Sequence, residues 1–218
     1  MQDVCVCCGT YVPEGRQVCR SCEEKTARYD PNEFFSAERK EKAQKKPYRV
    51  LVVVDAQNDF ITGRLGSENA RAAVPNIVRK IKEYKRNGWP IVATQDTHWE
   101  NYSDTHEGKL FPIEHCMHGT RGWEIDDRIE ALISDEPHIR KPAFAYIHWK
   151  LYYDLFHDAV IEVVGFCTDI CVVSNALYLR SAFKENDIVV DSKCCAGTSE
   201  EAHNAALLVM KSCQIEVI

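Results

Sequence analysis

The chain has 218 residues, 45% hydrophobic and 28% charged, which supplies a sizeable core and excludes a disordered chain. No apolar run approaches the roughly 18 residues of a membrane span, and Met1-Gln2-Asp3 opens neither a basic nor an apolar signal region. A net charge of -6 argues against a broadly nucleic-acid-binding surface, so a cytoplasmic protein touching neither membrane nor nucleic acid is expected.

Of the 11 cysteines, Cys5, Cys7, Cys8, Cys19 and Cys22 crowd the first segment, residues 1–23. Cys5 with Cys8 and Cys19 with Cys22 form two C-x2-C pairs separated by ten residues, the spacing of thiolate knuckles that converge on one tetrahedral zinc ion. Cys7 is the spare thiol. Too few apolar residues surround these pairs to fold the segment without metal, so zinc binding and folding are expected to be coupled. The segment resembles a small zinc ribbon. Residues 24–47 are rich in charge, with Glu38-Arg39-Lys40-Glu41-Lys42 and Lys45-Lys46, and read as a linker closed by Pro47.

From Tyr48 to Ile218, short apolar runs alternate with stretches of helical period. Strands are expected at 49–54, 89–94, 137–141, 159–165, 187–191 and 214–218. Helices are expected at 70–87, 123–133, 148–157, 169–184 and 199–211. Val50-Leu51-Val52-Val53-Val54 is continuous and mostly β-branched, as in a strand covered on both faces. Such alternation implies a six-stranded parallel sheet in a three-layer α/β/α domain, with its ligand site beyond the carboxyl ends of the strands.

Polar groups do gather at those ends. Asp55 follows the first strand, Thr94-Gln95-Asp96-Thr97-His98 the second, Arg140-Lys141 the third and Cys167-Thr168-Asp169-Ile170-Cys171 the fourth. A cysteine at a helix amino terminus has its thiolate favoured by the macrodipole. Asp55 could take the proton of Cys171 and Lys141 could stabilise charge. Singly, Asp55 could be a cap, Lys141 a surface charge and Cys171 a small core residue. Together they point to catalysis.

Val-Val-Val-Asp55-Ala-Gln-Asn-Asp-Phe60, Thr-Gln-Asp96-Thr-His98, Lys141 and Val-Gly-Phe-Cys167-Thr-Asp-Ile-Cys171 resemble the isochorismatase-like cysteine hydrolases. Within that family they are most similar to nicotinamidases and nicotinamidase-related amidases. The resemblance implies an Asp55–Lys141–Cys171 triad and a cis peptide between Phe166 and Cys167. It also implies an oxyanion hole made by the backbone N–H groups of Cys167 and Cys171.

The same resemblance implies a metal site. Asp96 and His98 follow the second strand, His115 lies further along, and Thr105-His106-Glu107-Gly108-Lys109-Leu110-Phe111-Pro112 resembles a stretch that supplies a glutamate ligand. The expected ligands are Asp96, His98, Glu107 and His115, with His106 competing for the third place. This mixed nitrogen and oxygen set suits zinc, manganese or iron. Phe60, Phe111 and either Phe144 or Tyr146 are candidates for gripping a planar ring.

These features imply a metal-assisted amidase that converts nicotinamide to nicotinate and ammonia through a thioester, in NAD salvage. The small carboxamide is its expected partner, and the fold's habit of pairing implies a homo-oligomer. One rival is an amidase of the same family acting on another carboxamide or carbamoyl compound. Another is a non-catalytic regulatory protein working through the zinc-ribbon-like head.

Overall fold

The computed structural model describes residues 48–218 and, ahead of them, the backbone of Asp3–Val4 (β1) and Tyr11–Val12 (β2). These short strands pair antiparallel, Asp3 opposite Val12 and Val4 opposite Tyr11. The chain divides into two compact units, Met1–Pro47 and Tyr48–Ile218. The zinc site expected at Cys5, Cys8, Cys19 and Cys22, and the linker expected at 24–47, lie outside the described residues. Among the described residues, no helix is long and apolar enough to cross a membrane.

Arg49–Val54 (β3) carries the centre of the second unit. Its side chains alternate between two cores: Val50, Val52 and Val54 enter one, Leu51 and Val53 the other. A strand buried on both faces needs helices on both sides of its sheet. Glu68–Arg86 (α2) and Asp127–Ile133 (α4) cover the Leu51 face. Tyr153–Phe156 (α5), Val173–Ala182 (α6) and Glu200–Ser212 (α7) cover the Val50 face. Asn58–Ile61 (α1) and His106–Leu110 (α3) are single turns in the loops. This is the expected three-layer arrangement.

The sheet adds Ile91–Asp96 (β4), His138–Lys141 (β5), Val160–Phe166 (β6), Ile188–Ala196 (β7) and Glu216–Val217 (β8). Its order is β5-β4-β3-β6-β7-β8, and every neighbouring pair is parallel. From β3 the chain builds outward through β4 and β5, then returns to the other side of β3 with β6. That reversal makes the β3–β6 boundary the switch point where a crevice opens. Val54 is in register with both Thr94 and Gly165, and Asp96 with Lys141, so the four strands exit within two residues of one another.

Several elements differ from expectation for local reasons. The second strand starts at Ile91, since Pro90 has no N–H to give a ladder. Only 127–133 of the expected helix 123–133 is helical, because Asp126 accepts the Arg128 N–H through its side chain at 3.0 Å and caps it there. The stretch 148–157 splits into a 3-10 turn, Trp149–Tyr152, and α5. The expected helix 169–184 opens with a π turn, Thr168–Val172, in which the Val172 N–H reaches the Cys167 carbonyl at 3.0 Å. The Phe166–Cys167 peptide is cis, as the resemblance implied.

One charged residue is buried within β6. Glu162 forms ion pairs with Lys80 at 2.6 Å and Arg49 at 3.0 Å, and accepts the Tyr84 hydroxyl at 2.7 Å. Lys80 and Tyr84 lie on α2, so this paired charge fastens that helix to the sheet.

Candidate active site

Asp55 leaves β3 in a left-handed conformation, φ 48°, that aspartate tolerates better than most residues. The Thr94 hydroxyl donates to its Oδ1 at 2.7 Å. Lys141, the last residue of β5 and wholly buried, places Nζ 2.7 Å from Asp55 Oδ2 and 3.3 Å from Asp96 Oδ1. The same ammonium donates to the Ala143 carbonyl at 3.0 Å and to Cys171 Sγ at 3.5 Å. The structure therefore brings Asp55, Lys141 and Cys171 together without exposing them.

Burial sets the proton affinities here. It raises Asp55, with the Asp96 charge adding and Lys141 opposing. Burial alone would lower Lys141, but Asp55, Cys171 and Asp96 around it hold it above the ordinary lysine value. Cys171 is pushed well above an ordinary thiol by burial, against the pull of Lys141. Cys167 is likewise pushed up to about 12, by burial first and the Asp169 charge second.

Beside this group, Asp96, His98 and His115 are buried, with ligand atoms all within 4.8 Å of one another. His98 Nε2 lies 3.0 Å and His115 Nε2 3.7 Å from Asp96 Oδ2. His115 Nδ1 faces the Ile113 carbonyl at 2.8 Å. A carbonyl only accepts, so Nδ1 carries a proton, which leaves Nε2 as the atom able to donate to Asp96 or, deprotonated, to bind a cation. Burial would raise Asp96, yet His115, His98 and Lys141 hold it well below the carboxylate range. One ionised carboxylate and two imidazoles at this spacing fit a divalent cation of the zinc, manganese or iron class.

Glu107 Oε1 stands 3.7 Å from His98 Nε2 and 3.8 Å from His115 Nε2. No hydrogen bond, ion pair or ring contact joins His106 to these groups. Phe60 and Phe111 meet the His115 ring edge-on, with centroids 5.9 Å and 5.8 Å away. Phe144 is exposed and makes no ring contact with this cluster. Tyr146 is partly buried against the first core, its ring 5.1 Å from Trp149.

Some supporting residues escaped the sequence reading. Gln57 donates to the Asp96 carbonyl and accepts the Asp96 N–H, both at 2.8 Å, gripping that residue's backbone. Buried Asn175 accepts from the Tyr146 N–H at 3.0 Å and from Trp149 Nε1 at 3.1 Å. It donates to the carbonyls of Cys171 at 2.8 Å and Phe144 at 3.0 Å, which ties the loop after Lys141 to the turn bearing Cys171. An amide four residues beyond the thiol was the visible signal.

The family model for the isochorismatase domain matches residues 49–218. An isochorismatase family protein of Bacillus subtilis is 30% identical over 171 residues, spanning 73% of this chain and 92% of the relative. A nicotinamidase of Schizosaccharomyces pombe is 28% identical over 207 residues, spanning 77% and 91%. Among solved structures, a nicotinamidase/pyrazinamidase of Bacillus subtilis superimposes with TM-score 0.69 at 26% identity, covering 78% of this chain and 98% of that one. A pyrazinamidase of Pyrococcus horikoshii in complex with zinc does so with TM-score 0.66 at 26% identity, covering 79% and 99%. Since the matched span takes in every strand exit described above, the chain belongs to the isochorismatase family and is a hydrolase.

Proposed function

We propose that the protein hydrolyses a small aromatic carboxamide, nicotinamide first, to the carboxylic acid and ammonia. The observation that carries this reading is that Lys141 touches both Asp55 and Cys171 on one side and Asp96 of the cation-fitting cluster on the other. Similarity to nicotinamidases and a pyrazinamidase supports the substrate class.

In this reading Asp55 takes the Sγ proton of Cys171, and Lys141 stays charged beside the thiolate. The sulfur attacks the amide carbon while the backbone N–H groups of Cys167 and Cys171 donate to the developing oxyanion. Asp55 returns its proton to the nitrogen, the C–N bond breaks, ammonia leaves and a thioester remains. A water then gives its proton to Asp55 and its oxygen to the acyl carbon. The C–S bond breaks, the acid departs and the proton returns to Sγ.

Asp96, His98 and His115, with Glu107 beside them, would hold the zinc, manganese or iron ion. When bound, that ion supplies a Lewis-acidic point suited to a ring nitrogen. Phe60 and Phe111, both edge-on to the His115 ring, offer apolar walls to the substrate ring.

The test is ammonia release from nicotinamide and pyrazinamide by cation-replete protein, with Cys171→Ala as control. Release that falls by about three orders of magnitude or more in the variant is expected. Undiminished release in Cys171→Ala would overturn the mechanism. A folded, cation-loaded parent that releases nothing from either compound would discard the aromatic substrate.

A further inference from the structure

Asp59 is buried, and the donors it meets are backbone N–H groups. Its Oδ2 accepts the Cys116 N–H at 2.7 Å and its Oδ1 the Arg64 N–H at 3.3 Å. Cys116 follows His115 directly and has φ 47°, a left-handed conformation rare outside glycine. Its carbonyl is held as well, accepting the His98 N–H at 3.0 Å, and the His118 N–H returns to the His98 carbonyl at 2.8 Å. The single peptide residue Cys116 thus links the segments of both imidazoles, and Asp59 grips it.

The surroundings make room for this carboxylate. The Asp59 N–H reaches the Gly122 carbonyl at 2.9 Å, and a β-carbon at Gly122 would overlap the Asp59 carboxylate. The two preceding residues work alike: Gln57 grips Asp96, and Asn58 Nδ2 donates at 3.0 Å to the carbonyls of Arg121 and Glu124. Gln57 and Asp59 therefore hold the backbone at Asp96 and just after His115, while Asn58 between them holds the loop at 121–124.

We infer that Asp59 is a positioning residue for the divalent-cation cluster: it fixes the left-handed Cys116 peptide and thereby aims His115 and His98. This rests on the cation reading given above. A left-handed cysteine has no intrinsic reason to persist, so a partner for its N–H is what retains it. Removing that partner frees the peptide to turn and carries His115 Nε2 away from Asp96.

The probe is Mn(II), which the nitrogen and oxygen cluster accepts and thiolate ligands disfavour. Its dissociation constant is measured by electron paramagnetic resonance on the full chain. Alkylation of Cys171 by iodoacetamide, located by mass spectrometry, reports the thiol half separately. Asp59→Ala is expected to weaken Mn(II) binding about 10–100-fold while Cys171 alkylates at the parental rate. Asp59→Asn, whose amide oxygen still accepts the Cys116 N–H, is expected to recover most of the affinity. Excess Mn(II) should restore turnover in Asp59→Ala. Gly122→Ala, which displaces the carboxylate without removing it, provides the same reading should Asp59→Ala fail to fold. Parental Mn(II) affinity in either disrupting variant overturns the inference alone, as does equal loss of Cys171 alkylation. A parent chain that binds no divalent cation at this cluster overturns the cation reading, and this inference with it.

Discussion

Lys141 and Asp96 join the two halves of the site: Nζ stands 3.3 Å from Oδ1, and their Cα atoms are register partners on adjacent parallel strands. Because the same ammonium lies 2.7 Å from Asp55, one buried cation balances the carboxylate beside Cys171 and the carboxylate beside the two imidazoles. Charge in either half is therefore felt in the other.

Lys141→Met leaves Asp55 and Asp96 buried without their shared cation. The expected loss is about 3–5 kcal/mol in the urea unfolding free energy near neutral pH. Freed of Lys141, Asp55 has a folded pKa raised further above its unfolded value. Its folded form then binds the extra proton, and the loss shrinks as pH falls through that folded pKa. A loss that stays constant with falling pH would show that neither carboxylate responds.

Glu107→Ala is expected to weaken divalent-cation binding about 10-fold, since its carboxylate faces both imidazoles. His106→Ala should leave affinity unchanged. Titration calorimetry on both variants decides between them, and the reverse order of effects would move the ligand role to His106.

The acid limb of kcat/KM reports the free enzyme's base. With Asp55 raised chiefly by burial, that limb is expected above about pH 4, the ordinary aspartate value. Cys171 is raised too, so no alkaline break at about pH 8.5, the ordinary thiol value, is expected. A profile flat down to the ordinary aspartate value would remove Asp55 from the role of base.

Gly165 has φ 127°, and a β-carbon there would overlap the Val54 carbonyl oxygen on the neighbouring strand. Gly165→Ala is expected to cost more than about 4 kcal/mol, enough to abolish a cooperative thermal transition. A near-parental melting curve would mean that β3 and β6 separate easily.

The strand at 49–54 was legible because every position from Val50 to Val54 is apolar and two-sided burial leaves an unbroken run. The long β7 was not: Ser192-Lys193-Cys194-Cys195-Ala196 lacks β-branched residues, and pairing with β6 passes through a register shift. The single turns α1 and α3 are too short to show a helical period. At the site, Asp55, Asp96, His98, Lys141 and Cys171 stand out by residue type at or just beyond the strand exits, whereas Glu107 and His115 lie further along the chain and rest on the resemblance. Gln57 and Asp59 do not, because their work is done on backbone atoms 39 and 57 residues away, which no side-chain pattern records. The burial that raises the Cys171 thiol is likewise invisible in sequence, where only the helix end shows.

The reversal of strand order at β3 also arranges the site in time. Asp55, Asp96, His98, His115 and Lys141 all precede the return strand, whereas Cys167 and Cys171 follow it. During synthesis Asp55, Lys141 and the Asp96–His98–His115 group leave the ribosome before Cys171 does. The register pairing of Arg49 with Val160 must then close before the thiol reaches its partners. On the proposed mechanism, the thiol meant to form the covalent bond is thus the last member of the triad to be made.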